Sequence, residues 1–146
     1  MLRRKITDQL LAWKNTPGRK PLIIKGCRQC GKTFSVLEFA RKNYKHTVYL
    51  NFFENPDYAS VFSGSLEIDN IVMMLSALLG KDAVFEPGQT ILILDEIQDC
   101  PEARTALKFF RIDGRYDVIG TGSLLGVKAD SYTHLRAHET SAHLVC

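Results

Sequence analysis

No apolar run in the sequence approaches the roughly eighteen residues that a membrane-crossing helix requires, so a transmembrane segment is not expected. The start, Met1 to Asp8, is charged and leads into no long apolar stretch, which excludes a secretory signal reading. Cysteine is sparse. Cys27, Cys30, Cys100 and Cys146 do not suggest the disulfide framework of a small secreted domain. Cys27 and Cys30 have CxxC spacing, but no second CxxC is present to complete a tetrahedral zinc site. These absences together predict a cytoplasmic protein with no membrane partner.

What remains is ordinary for a globular domain. The 146 residues are 45% hydrophobic and 24% charged, enough for one domain with a real core. The net charge of +3 conceals an uneven distribution. Residues 1–46 carry twelve Lys/Arg against two Asp/Glu, whereas residues 47–113 carry four against eleven. Such asymmetry can mark a nucleic-acid surface. It also suits a chain whose first half holds phosphate and whose second half holds a divalent cation.

Periodicity divides the chain into alternating elements. Ile6, Leu10, Leu11 and Trp13 recur at helical spacing, and Asn15 to Pro21 then break the chain. Leu22–Lys25 is a short apolar run, read as a buried strand ending at Gly26. From Thr33 to Tyr44 the residues Phe34, Leu37, Phe39, Ala40 and Tyr44 predict a helix with cations at its C-terminal end. Thr47–Asn51 is a second strand, followed by a polar stretch around Pro56. Ile68–Leu79 predicts a helix capped by Gly80. Thr90–Asp95 is the strongest strand, its apolar residues running without alternation as a strand covered on both faces requires. Pro101–Phe110 predicts a helix with proline in its first turn, and Tyr116–Thr121 a fourth strand. Helices between strands throughout predict an α/β fold, a mostly parallel sheet sandwiched by helices.

Residues 131–146 break the pattern. They hold three of the four histidines, and a metal site can be drawn from His134, His138, His143 and Cys146. The string also resembles a translated adaptor-like tail that recurs at the ends of unrelated metagenomic proteins. The tail is therefore read as artefactual or disordered, leaving residues 1–130 as the domain.

Gly26-Cys27-Arg28-Gln29-Cys30-Gly31-Lys32-Thr33 satisfies GxxxxGK[ST] at every fixed position. Chance supplies that pattern in roughly one chain in two hundred of this length. Its physics is a phosphate cradle. Glycines let successive backbone N–H groups curl inward on an anion, and the helix opening at Lys32 adds its positive end. Lys32 would reach the β- and γ-phosphates, and the Thr33 hydroxyl would ligate magnesium. Cys27, Arg28, Gln29 and Cys30 would contribute mainly backbone, and Phe34 follows them in the first helical turn.

A buried strand ending in Asp95-Glu96 is costly unless a cation neutralises the pair. Magnesium would do so: Asp95 would hold the ion, through water, beside Thr33, and Glu96 would orient and deprotonate an attacking water. The tip of the fourth strand, Gly120-Thr121-Gly122-Ser123, is expected between the phosphate-loop strand and the Asp95 strand. Thr121 or Ser123 would then sense the γ-phosphate, and the sequence does not choose between them.

Taken in order, these motifs resemble a family. Pro21-Leu-Ile-Ile-Lys25 before the glycine loop, Tyr49-Leu-Asn-Phe-Phe-Glu54, Leu94-Asp-Glu-Ile-Gln-Asp99 and Gly120-Thr-Gly-Ser123 are similar to a group of prokaryotic AAA-type ATPases. In that group a P-loop domain precedes a C-terminal domain of unknown function. The resemblance spans residues 1–128. It implies an AAA/RecA-like core, ATP and Mg2+ as ligands, and the roles given above for Lys32, Thr33, Asp95 and Glu96. The family usually has small or aliphatic residues where Cys27 and Cys30 stand.

The resemblance also implies that a fifth core strand, an arginine finger and the C-terminal domain are missing, so the chain is expected to be an N-terminal fragment. Nothing marks Arg104, Arg111 or Arg115 as a finger, and hydrolysis without one should be slow. A protein or nucleic-acid partner would act through the missing domain. Two other functions fit the same residues: a module that senses nucleotide without significant turnover, and a DNA-associated motor.

Overall fold

A computed structural model of the chain describes residues 2–26 and 31–123, with side chains described from Ile6 onward. Helix α1 (Leu2–Lys14) precedes strand β1 (Leu22–Gly26), helix α2 (Lys32–Asn43), strand β2 (His46–Asn51) and helix α3 (Ile68–Leu79). Strand β3 (Thr90–Asp95), helix α4 (Pro101–Asp113) and strand β4 (Asp117–Ser123) complete the order. The four strands form one sheet in the order β1-β4-β3-β2, and every pairing is parallel. Among the described residues β1 and β2 are the two outer strands. As expected, β4 lies between β1 and β3.

Alternation along the strands assigns side chains to two faces. Val48, Leu50, Leu92, Leu94 and Val118 join one cluster, packed by α3 and α4. Leu22, Ile24, Ile91, Ile93 and Ile119 join the other, packed by α1 and α2. Each helix buries a stripe at helical spacing. In α4 it is Ala103, Ala106, Leu107 and Phe110; in α3, Ile68, Ile71 and Leu75. Pro101 opens α4, and Gly114, at φ 75°, closes it with its N–H on Phe110 O. Gly80 caps α3 in the same way on Ser76 O.

Among the described residues three short 3-10 helices lie in the connections, Pro56–Phe62, Gly80–Asp82 and Ile97–Asp99, the first of them in the stretch read as polar. The first buries Val61 and Phe62 despite its polar flanks. Two residues counted in apolar stripes point outward instead: Leu11 is 37% exposed and Phe34 54%. In each helix the sheet-facing stripe is filled by neighbours, Ile6 and Leu10 in α1 and Val36, Phe39 and Ala40 in α2.

A polar cluster fixes the start of β4. Asp117 accepts hydrogen bonds from Arg19 Nε at 2.9 Å, from Arg19 Nη2 at 2.6 Å and from the Tyr44 hydroxyl. The Arg19 guanidinium lies over the Trp13 ring, and Trp13 donates its indole N–H to Lys20 O at 2.7 Å. Burial, with the bond to Asp117, pushes the Tyr44 phenol well above its ordinary value. This cluster ties the end of α1 and the Asn15–Pro21 break to the edge of the sheet opposite the strand tips.

Candidate functional site

Because all four strands run the same way, their C-terminal ends converge on one edge of the sheet. In open parallel sheets ligands bind at that edge. Gly26 ends β1, Asn51 ends β2, Asp95 ends β3 and Ser123 ends β4, while α2 starts beside them. Gly31, which precedes α2, has φ 81° and ψ 8°, a left-handed conformation that costs a side-chain-bearing residue energy and glycine none. The Ser35 N–H then takes Gly31 O at 3.0 Å, starting the helix. Lys32 is buried, only 3% exposed. Cys27, Arg28, Gln29 and Cys30 lie outside the described residues, as do the histidines and Cys146 of the tail. Cys100 is free and buried, and burial raises its thiol above the ordinary range.

Asp95 is the centre of the edge. Its Oδ1 accepts from the Thr121 hydroxyl at 2.5 Å and from the Glu96 N–H at 2.9 Å. Its Oδ2 accepts from the Tyr49 hydroxyl at 2.6 Å and, more weakly, from Asn51 Nδ2 at 3.4 Å. The Thr33 hydroxyl lies 3.3 Å from Oδ1 and 3.2 Å from Oδ2. Strand register explains the convergence, since Asn51 pairs with Asp95 and Asp95 with Thr121 across the sheet. Burial, reinforced by the bond to Asp95, raises the Tyr49 phenol, so Tyr49 donates as a neutral hydroxyl.

Glu96 turns away from this cluster. It has φ 56° and ψ 46°, the only positive φ at a non-glycine residue among the described residues. Holding such a residue there costs on the order of 1–3 kcal/mol. The turn is held on both sides: the Glu96 N–H bonds Asp95, and Glu96 O accepts from the Asp99 N–H at 3.0 Å. The Glu96 carboxylate accepts from Gln98 Nε2 at 2.7 Å. Gln98 Oε1 is buried with no hydrogen-bond partner, resting against Gly122, where an added Cβ would come within 2.8 Å of it.

The structure thus brings Thr33, Asp95 and Thr121 into direct contact and joins Glu96 to them through its backbone. Ser123 is fully buried at the tip of β4, and Phe34 stands exposed in the first turn of α2. Sequence reasoning gave no role to Tyr49, Asn51 or Gln98. The alternation Tyr49-x-Asn51 at the end of an apolar strand was the available signal, but it points to Asp95 only once β2 is known to lie beside β3. A carboxylate and a threonine hydroxyl in contact form the hard oxygen pair that magnesium takes. A buried lysine and a helix N-terminus adjoin that pair, so the residues fit a metal-bound polyphosphate.

Fold and site together define a P-loop nucleotide-binding domain. A profile of the AAA domain matches residues 18–145, and the chain belongs to that family of ATPase-type domains. Solved structures agree on the fold. The Orc1 protein of Aeropyrum pernix, determined in complex with DNA, superposes with a TM-score of 0.61 at 16% identity. PCH-2 of C. elegans gives 0.56 at 14%, and RuvB of Thermotoga maritima 0.57 at 16%. The matches cover 98–99% of this chain but only 42–44% of those chains. No curated protein matches by sequence. Among the described residues no helix is long and apolar enough to cross a membrane.

Among the described residues, several cations of the basic first third are engaged within the fold. Arg19 is paired with Asp117, Lys42 with Glu38 and Lys45 with Glu86, while Lys25 and Lys32 are buried.

Proposed function

We propose that the chain binds Mg-ATP at the edge formed by Gly26, Gly31–Thr33, Asp95 and the tip of β4, and hydrolyses it. The observation that carries this reading is the contact of the Thr33 hydroxyl with both oxygens of Asp95 at 3.2–3.3 Å, beside buried Lys32. Thr33 and Asp95 would hold the ion, Asp95 directly or through water. Magnesium, when bound, supplies neutralising charge on the phosphate oxygens. Lys32 would add its ammonium to the same anion, and the N–H groups of the glycine loop would cradle it. Glu96, as general base, would take the proton of a water aligned with the γ-phosphate, with Gln98 holding its carboxylate. Thr121, which donates to Asp95, would serve that carboxylate rather than sense phosphate, and the sensing role falls to Ser123.

The test is thermal unfolding with and without Mg-ATP, beside Lys32→Ala. A specific ligand at about a hundred times its Kd stabilises by about 2.7 kcal/mol. A magnesium-dependent rise in melting temperature, lost in Lys32→Ala, is expected. A cooperative melt that ignores Mg-ATP would mean that the loop holds no nucleotide. Phosphate release then separates turnover from sensing: Glu96→Gln should abolish it, and an unchanged rate would remove Glu96 as base.

A further inference from the structure

The Tyr49-x-Asn51 pair at the end of β2 is hydrogen-bonded to Asp95. Asp95 is flanked by two strands, and each supplies one hydroxyl to one carboxylate oxygen. Thr121 on β4 takes Oδ1 at 2.5 Å, and Tyr49 on β2 takes Oδ2 at 2.6 Å. Tyr49 is paired with Ile93, one same-face step before Asp95, about 6.6 Å down the strand. A tyrosine is long enough to span that step. Asn51 seats it, its Nδ2 lying 3.2 Å from the Tyr49 hydroxyl and 3.4 Å from Asp95 Oδ2. The ring packs against the core of the α1/α2 face, so its position does not depend on the hydroxyl.

We infer that Tyr49, seated by Asn51, is a positioning residue that sets the rotation of the Asp95 carboxylate for the magnesium shell beside Thr33. The inference rests on the Mg-ATP reading and deepens it. Without the Tyr49 hydroxyl, Oδ2 keeps only the long contacts from Asn51 and Thr33, and the carboxylate plane is free to turn about its Cβ–Cγ bond. Partners of this kind, one bond removed from the ion, typically change metal affinity by about tenfold to a hundredfold.

The test uses the full chain, a fluorescent ATP analogue and magnesium titration. Tyr49→Phe keeps the ring and removes the hydroxyl. The expected result is a magnesium half-point raised about tenfold or more, with analogue affinity in EDTA unchanged and a melt that stays cooperative at a modestly lower temperature, as the loss of one bond to the buried carboxylate requires. Asn51→Ala should shift the half-point in the same direction, by less. Asp95→Asn serves as the control that the magnesium effect runs through this carboxylate. An unaltered half-point in Tyr49→Phe overturns the inference and leaves the Mg-ATP reading standing. A lowered half-point overturns it too, because the hydroxyl would then be competing with the ion. Loss of analogue binding in EDTA would make Tyr49 a structural residue only. If wild type binds the analogue equally well with and without magnesium, the magnesium reading itself fails and takes the inference with it.

Discussion

Gly122→Ala should separate stability from turnover. The Cβ it adds would sit 2.8 Å from Gln98 Oε1, closer than real Cβ contacts come, while its next neighbours lie at 3.9 Å or beyond. Only the Gln98 amide has to move. That oxygen already lacks a hydrogen-bond partner, a state that costs about 1–3 kcal/mol, so releasing it toward solvent carries little penalty. Replacing glycine within a strand gains about 0.5–1 kcal/mol in backbone entropy. These two gains roughly offset the bond that Gln98 gives up to Glu96, so the protein should stay close to wild type in stability. The displaced amide no longer holds the Glu96 carboxylate, now bonded at 2.7 Å. A hydrogen bond to a charged group contributes about 1.5–3 kcal/mol, so kcat should fall roughly tenfold to a hundredfold with nucleotide affinity unchanged. Urea unfolding and steady-state phosphate release measure the two effects. Gln98→Ala should reproduce the rate loss, and adding Gly122→Ala to it should change nothing further. A further loss of stability in that double variant would place the clash elsewhere and refute the reasoning, as would a Gly122→Ala enzyme with undiminished kcat.

Gly31→Ala meets no atom of the described residues within 4 Å and pays for its positive φ, so chemical denaturation should show a loss of about 1–2 kcal/mol; a neutral result would mean that Gly31 adopts another conformation in solution. Arg19→Ala leaves Asp117 with Tyr44 alone, and the same assay should show a loss of about 1.5–3 kcal/mol without changing nucleotide affinity. Because folding raises the Tyr44 phenol, chiefly by burial, its contribution is fully present below the unfolded value near 10 and is lost as pH rises beyond it. Alkaline melts should accordingly be shallower for Tyr44→Phe, by up to about 1.4 kcal/mol per pH unit, and an unchanged slope would show that this phenol is not buried in solution.

Much of this was legible in the residues. The β3 strand was bounded correctly because six consecutive buried positions leave no other element of that length, and α3 because Gly80 stops it. The contact of Thr33 with Asp95 agrees with the expectation that the threonine of the glycine loop and the acid ending β3 lie side by side. The 3-10 turn Ile97–Asp99 was not legible, since its conformation is set by the left-handed Glu96, and nothing local favours a glutamate there. The Glu96 N–H bond to Asp95 and the Asp99 N–H bond to Glu96 O hold it, the first of them once neighbouring strands have fixed the Asp95 carboxylate. The Tyr49 role was hidden for a different reason. Strand alternation gives the face a residue occupies, but the partner across the sheet depends on strand order, which is a property of the whole chain.

The same network explains how an acid can stay buried at the tip of β3 before any ligand arrives. An unsatisfied carboxylate there would cost several kcal/mol. Asp95 instead meets donors from β2, β4, α2 and its own following residue within 3.4 Å. The metal is therefore not required to assemble the edge, and the sheet should fold cooperatively in EDTA. Of those donors only Thr33 has contacts longer than 3.0 Å to both oxygens, so it is the group most easily drawn from Asp95 toward an ion. The short bonds from Tyr49 and Thr121 would remain in place. An arrangement with two firm anchors and one loose donor keeps the carboxylate oriented while opening one side of it, and that side faces the helix that starts the phosphate loop's anion site.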